Sequence, residues 1–206
     1  MKGIERGMFS AVVVLSCSAL VIGQAPPAGR GGPARVSFWV TTTAWPDGGE
    51  VPMRYSMRGD NKSPAFEFHW NLGGNPTAAP ENLRTYAVIL HDVENSSNKT
   101  VTDTLHWTAF NIPGTASGLP EGLAAGDLPD GTRNGPGIAS ERGSAPVYFG
   151  PGAGPGPIHH YVFEFYALDT KLDLPANASR DGLLKAMDGH VIGKAAWFGR
   201  FHAPPQ

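Results

Sequence analysis

Residues 85–90 (TYAVIL) constrain this chain more than any other stretch. They show no alternation of apolar and polar side chains. A strand with one wet face alternates, because successive side chains point to opposite faces. A run apolar at both parities needs cover on both faces. Residues 161–168 (YVFEFYAL) read as a second, stronger strand, and residues 105–112 (LHWTAFNI) as a third, stopped by Pro113-Gly114. Residues 35–43 (RVSFWVTTT) have the β-branched and aromatic content of a first strand, and residues 191–201 read as the last. Residues 111–118 and 128–137 are dense in turn formers. The 27 glycines and 19 prolines, with only 17% charged residues, suit many turns and short strands better than long helices. One helix is expected, with Ser179 capping its start, Leu183, Leu184, Ala186 and Met187 in its body, and Gly189 ending it. Strands joined through loops plus one small helix predict a mainly β, antiparallel two-sheet sandwich.

The N-terminus is a separate matter. Lys2 and Arg6 precede an apolar run at residues 8–22, followed by Gly23, Gln24 and Ala25. That is the layout of a secretory signal peptide over residues 1–25, and the run is shorter than the ~20 residues a spanning helix needs. Residues 26–34, rich in Pro and Gly, read as a flexible leader, and residues 35–206 as one domain. The expected location is therefore periplasmic or extracellular, with no stable membrane span after processing. Cys17 is the single cysteine and lies inside the predicted signal, so neither a disulfide framework nor a thiol nucleophile is expected in the mature domain. A formal net charge of −2 implies no basic field for nucleic acid.

Polar chemistry concentrates in three places. Asp92 lies just past the predicted 85–90 strand, where a side chain can turn into a strand-end pocket. His106 lies on the 105–112 strand and by alternation shares a face with Thr108 and Phe110. His159 and Tyr161 share one face, with His160 on the other. Residues 150–157 (GPGAGPGP) precede this group; with so little side chain, their backbone N–H groups could approach an anion closely.

Taken in order, Ser63-Pro64 … Trp70, Leu90-His91-Asp92, His106-Trp107 … Asn111-Ile112-Pro113, Gly150-Pro151 … His159-His160-Tyr161, Tyr166-Ala167-Leu168-Asp169, Ala186-Met187 … Gly189-His190-Val191 and Phe198-Gly199-Arg200 resemble the phosphatidylethanolamine-binding protein family, closest to its bacterial, Raf-kinase-inhibitor-like branch. The resemblance covers roughly residues 50–201. It implies Greek-key connections in the sandwich and a ligand pocket built from Asp92, His106, His159 and Tyr161, with Gly150 and Pro151 opening the pocket loop. The chain departs from the family pattern where Val93 and Glu94 replace a proline and an aspartate, where Gly152, Ala153 and Gly154 replace bulkier residues, and where His160 replaces a common arginine.

The implied function is an exported binding protein for a small anionic ligand, such as the phosphate of a phospholipid head group or a phosphoethanolamine-like group. The two imidazoles would become cationic near neutral pH, Tyr161 and the glycine loop would add donors, and Asp92 would orient a histidine or meet an ammonium group. No cofactor, catalytic residue or metal ligand is assigned. The alternative is a metal-binding or weakly hydrolytic site on the same Asp92, His106 and His159 cluster. Bacterial relatives often pair as homodimers, so the resemblance also admits a homodimer.

Overall fold

The computed structural model describes residues 35–96, 101–135 and 147–205. The predicted signal peptide and leader lie outside the described residues. Two sheets form. The first is centred on β3 (Phe66–Leu72), which pairs with β1 (Val36–Thr41) along one edge. Its other edge carries the short β4 (Asn75–Pro76) at one end and β7 (Gly118–Leu119) at the other. The second sheet has seven strands. With β2 (Gly49–Glu50), β5 (Thr85–Ser96), β6 (Asp103–Pro113), β8 (Gly126–Asp127), β9 (Arg133–Asn134), β10 (His159–Leu168) and β11 (Val191–Phe201), its order is β2-β11-β10-β5-β6-β9-β8. Every pairing is antiparallel except the two-residue β2–β11 contact, which is parallel. Seating β10 against β5 rather than β9 is the crossover that the Greek-key expectation required.

The burial of β5 explains its sequence. Tyr86, Val88 and Leu90 point between the sheets, against Phe38, Phe66, Phe68 and Trp70 of the first sheet and Phe163 and Phe165 of β10. Aromatic edges make much of this contact: Phe66 and Phe165 meet at 4.7 Å and 63°, and Phe68 and Phe165 at 5.9 Å and 67°. Ala87 and Ile89 point the other way, into a second cluster with Phe110, Leu168, Leu172, Leu183 and Met187. The last two belong to α1 (Arg180–Met187), so one small helix roofs the outer face of the seven-stranded sheet. Ser179 caps it by accepting from the Gly182 N–H at 3.1 Å, and Gly189 follows at φ +80°. Among the described residues no helix is long and apolar enough to cross a membrane.

Three local features depart from the sequence reading. β5 continues to Ser96, so Asp92 stands within the strand rather than past its end. No element was assigned to residues 66–72, yet Phe66, Phe68 and Trp70 alternate inward there and make β3 the centre of its sheet. Three register shifts interrupt the β5–β6 pairing, at Tyr86/Val88, Leu90/His91 and Asp92/Ser96. The first accommodates Asn111 at φ +55°, a left-handed conformation that Asn tolerates better than most residues. Its side chain accepts from the Leu172 N–H at 2.8 Å and donates to the Leu172 carbonyl at 2.9 Å, stitching the loop before α1 to the sheet.

Asn111→Ala should therefore destabilise the fold by about 3 kcal/mol. It strands two buried backbone groups and places a Cβ-bearing residue without local hydrogen bonds at positive φ. Denaturant unfolding of the two proteins measures this, and a difference below about 1 kcal/mol would contradict the assignment.

Candidate functional site

The site begins with strand register. Tyr161 on β10 stands directly opposite Asp92 on β5, so their side chains share the inter-sheet face near the strand ends. His159, two residues earlier on the same face, reaches diagonally to Asp92, with Nδ1 2.7 Å from Oδ2. Asp92 is only 2% exposed, and its other oxygen accepts from the backbone N–H groups of Glu94 (3.1 Å) and Asn95 (3.2 Å). The Tyr161 hydroxyl lies close to the same carboxylate.

His106 reaches the group through the second bulge. Leu90 pairs with Trp107 and His91 with Leu105, leaving His106 as the extra residue. A bulge breaks the alternation. His106 thus turns to the inter-sheet side rather than sharing the Phe110 face as alternation predicted, while Leu105 and Phe110 pack in the cluster under α1. The His106 ring stands edge-on to Tyr161 at 5.2 Å and 89°. Its Nδ1–H donates to the Phe149 and Gly150 carbonyls, both at 3.0 Å, which fixes the tautomer and leaves Nε2 as the ring's other polar atom.

Electrostatics alter two roles expected from sequence. Burial drives the His106 pKa down, against the pull of the Phe149 carbonyl and Asp92, so the ring is neutral near neutral pH. Burial likewise raises the Tyr161 hydroxyl far above its ordinary value. That hydroxyl accepts from the Gly152 and Ala153 N–H groups, both at 3.1 Å, so Tyr161 braces the loop. Asp92 is already met by the His159 imidazole and two backbone N–H groups, the orienting role expected for it.

The glycine loop also differs from its expected part. A Cβ on Gly150 would lie 2.1 Å from the Tyr55 carbonyl oxygen, and one on Gly152 would lie 2.1 Å from the Met57 sulfur. These glycines admit the segment 55–57 rather than a ligand. The Gly150 N–H is taken by Asn61 at 2.9 Å, and the Pro151 carbonyl accepts from the Met57 N–H at 3.0 Å. Arg58 holds the Gly152 and Ala153 carbonyls at 3.0–3.2 Å. The loop is a clamped wall whose N–H groups at 150, 152 and 153 are spent inside the protein.

Asp92, His106, His159, Tyr161, Gly150 and Pro151 thus converge on one place. The sequence reading missed Arg58 and Asn61, which secure the loop and carry no local signal. Glu94, marked in the sequence only as a departure from the family pattern, takes the His160 N–H on its carboxylate at 2.7 Å and lies 2.6 Å from the His160 imidazole. Burial opposes ionisation of Glu94, but the His160 backbone and the imidazoles of His160 and His159 outweigh it and hold the carboxyl below its ordinary range. Ligating atoms of Asp92, Glu94 and His159 lie within 4.8 Å of one another, so the group with metal-ligand spacing includes Glu94 and not His106. Three other histidines serve elsewhere: His91 Nδ1 is 2.5 Å from Asp103 on the opposite face, His69 is bonded to Thr41, and His190 to Asp169.

A histidine held neutral by burial contributes stability that is fully present above its ordinary pKa of 6.5 and lost as pH falls below it toward the depressed folded value. His106→Asn keeps a donor for the two carbonyls but cannot take up the proton. The stability of the native protein relative to this variant should fall from pH 6.5 downward, by at most about 1.4 kcal/mol per pH unit. Parallel stability–pH curves would refute the neutral assignment.

Comparison with known proteins identifies the family and the fold. The family model described as phosphatidylethanolamine-binding protein matches residues 41–202. A UPF0098 protein of Methanothermobacter thermautotrophicus is 38% identical over 164 residues, covering 78% of this chain and 95% of the relative. A Mycobacterium tuberculosis protein described as a lipoprotein, LppC, is 29% identical over 172 residues, covering 82% of this chain and 74% of its own length. The crystal structure of a phosphatidylethanolamine-binding protein homologue from Chlamydia trachomatis superposes with a TM-score of 0.66 at 26% identity, covering 82% of this chain and 99% of that one. The chain belongs to the phosphatidylethanolamine-binding protein family.

Proposed function

We propose that this protein binds a small ligand through an anionic group, such as the phosphate of a phospholipid head group, at the Nε2 atoms of His106 and His159. One observation carries the reading. Both imidazoles spend Nδ1 on the protein, His159 on Asp92 and His106 on two carbonyls, so each has one further ring nitrogen for a ligand. A neutral ring with a proton on Nδ1 presents a lone pair at Nε2, and an imidazolium presents an N–H. An anion selects the second form, so its binding takes up protons. Burial of His106 makes that uptake costly, which keeps affinity for a bare phosphate modest, in the roughly micromolar to millimolar range. A monoprotonated phosphate can instead donate its own O–H to neutral His106.

Phosphate affinity should rise as pH falls from about 8.5 to 5.5, either side of the ordinary histidine pKa. His106→Asn and His159→Asn should each weaken it roughly tenfold. Calorimetric titration of inorganic phosphate into the three proteins checks this, and equal affinity at both pH values counts against the reading.

Export belongs to the same proposal. It rests on the basic-then-apolar N-terminal pattern and on the description of the mycobacterial relative as a lipoprotein. A second reading of the site is favoured by the spacing of Asp92, Glu94 and His159, which could hold a divalent cation at the rim. Elemental analysis of protein purified without chelator separates the two. A stoichiometric metal lost on Glu94→Gln favours the cation, and phosphate binding unaffected by chelator favours the anion.

A further inference from the structure

A second cleft, of about 450 Å³, lies where the end of β11 meets β2 and the residue preceding β10. Its walls are mainly apolar. Val51 and Phe201 are core residues that reach its floor, while Met53 (41% exposed) and Ile158 (40% exposed) leave large apolar side chains open above it. Arg200 lines the same cleft. Its Nε is buried and has no hydrogen-bond partner among the described residues, and its guanidinium enters no ion pair there.

Strand register explains why this cation stands alone. Arg200 is paired across the sheet with His160 and, on its other side, with Glu50. Glu94, the acidic neighbour of His160, is consumed by that histidine at 2.6 Å. Glu50 is exposed and stays in water without bridging to Arg200. A buried donor without an acceptor is costly, and a guanidinium fork matches a carboxylate in two parallel hydrogen bonds. Apolar walls beside an unanswered guanidinium suit a molecule with an anionic end and an aliphatic body.

We propose that this cleft is a second binding site, separate from the His106–His159 pocket, for an amphipathic carboxylate of the fatty-acid type. The carboxylate meets Arg200, and the chain lies along Val51, Met53, Ile158 and Phe201. His202, exposed at the mouth, adds a further polar contact for the head. The proposal does not rest on phosphate binding at the first site.

The test is titration of the purified protein with sodium dodecanoate below its micelle concentration, read by calorimetry and by the methyl NMR signals of Met53 and Ile158. Dodecanoate should move those signals and bind at least roughly tenfold more weakly to Arg200→Gln. Neutral dodecanol should not distinguish that variant from the native protein. Ile158→Ser, at an exposed position, should weaken both probes, and phosphate affinity should be unchanged throughout. If Arg200→Gln does not fold, Glu50→Gln decides: removing the carboxylate beside the cleft should tighten dodecanoate. Equal dodecanoate affinity in native and Arg200→Gln proteins overturns the proposal, as does no change on Glu50→Gln. Concentration-dependent shifts of the same methyl signals without any probe would assign the face to a second copy of the chain, and also overturn it.

Discussion

Burying the Asp92 carboxylate dictates the architecture around it. A charge removed from water must be met by donors on every side. Asp92 obtains them from three groups: the His159 imidazole and the N–H groups of Glu94 and Asn95. The two backbone bonds shape the continuation of β5, and the imidazole orients the start of β10. Opposite Asp92, Tyr161 places its oxygen where the Gly152 and Ala153 N–H groups converge. One buried carboxylate therefore organises two strand ends beside the loop that Tyr161 braces, and removing it would leave several donors unpaired at once.

The glycine-rich loop shows how a motif of one appearance can serve a different purpose. Small residues next to histidines suggest an anion cradle, because bare backbone can approach a ligand. Here the small residues face the segment 55–57, which lies too close for any Cβ at Gly150 or Gly152. Arg58 reinforces this by holding carbonyls of the loop, leaving their N–H groups to face Tyr161. The loop's contribution to the site is rigidity and the carbonyl pair that fixes the His106 tautomer. In the proposed function the ligand-facing chemistry falls to two imidazole edges, and the difference between them is burial: His106 is deep and held neutral, while His159 lies nearer the rim beside Glu94.

Much of the fold was legible in the residues. The 85–90 run required cover on both faces and has it, from the first sheet on one side and α1 on the other. Ser179 and Gly189 ended the helix where their chemistry said they would. The segment 66–72 carried a plain period of two that went unassigned, so that signal was present and unread. His106 is different in kind. Strand alternation placed it on the wrong face, because the extra residue at the Leu90/His91 bulge belongs to the pairing of two strands and not to either strand alone. The part of the Tyr161 hydroxyl, which accepts from two loop N–H groups, was hidden for a related reason. A side chain's free donors and acceptors depend on partners far away in sequence, and nothing local marks them as taken.

The amino-acid sequence by itself determined the β-rich class, the double-sided burial of the central strand, the capped helix and the set of polar side chains that the candidate site draws on. Those follow from periodicity, propensity and residue chemistry, which act over a few neighbouring positions. The tertiary structure alone decided which face His106 takes, which hydrogen-bonding atoms remain open, and that the buried Nε of Arg200 has no hydrogen-bond partner among the described residues. These properties arise from register, bulges and desolvation, and each is a relation between distant segments that exists only once the sheets have closed on each other.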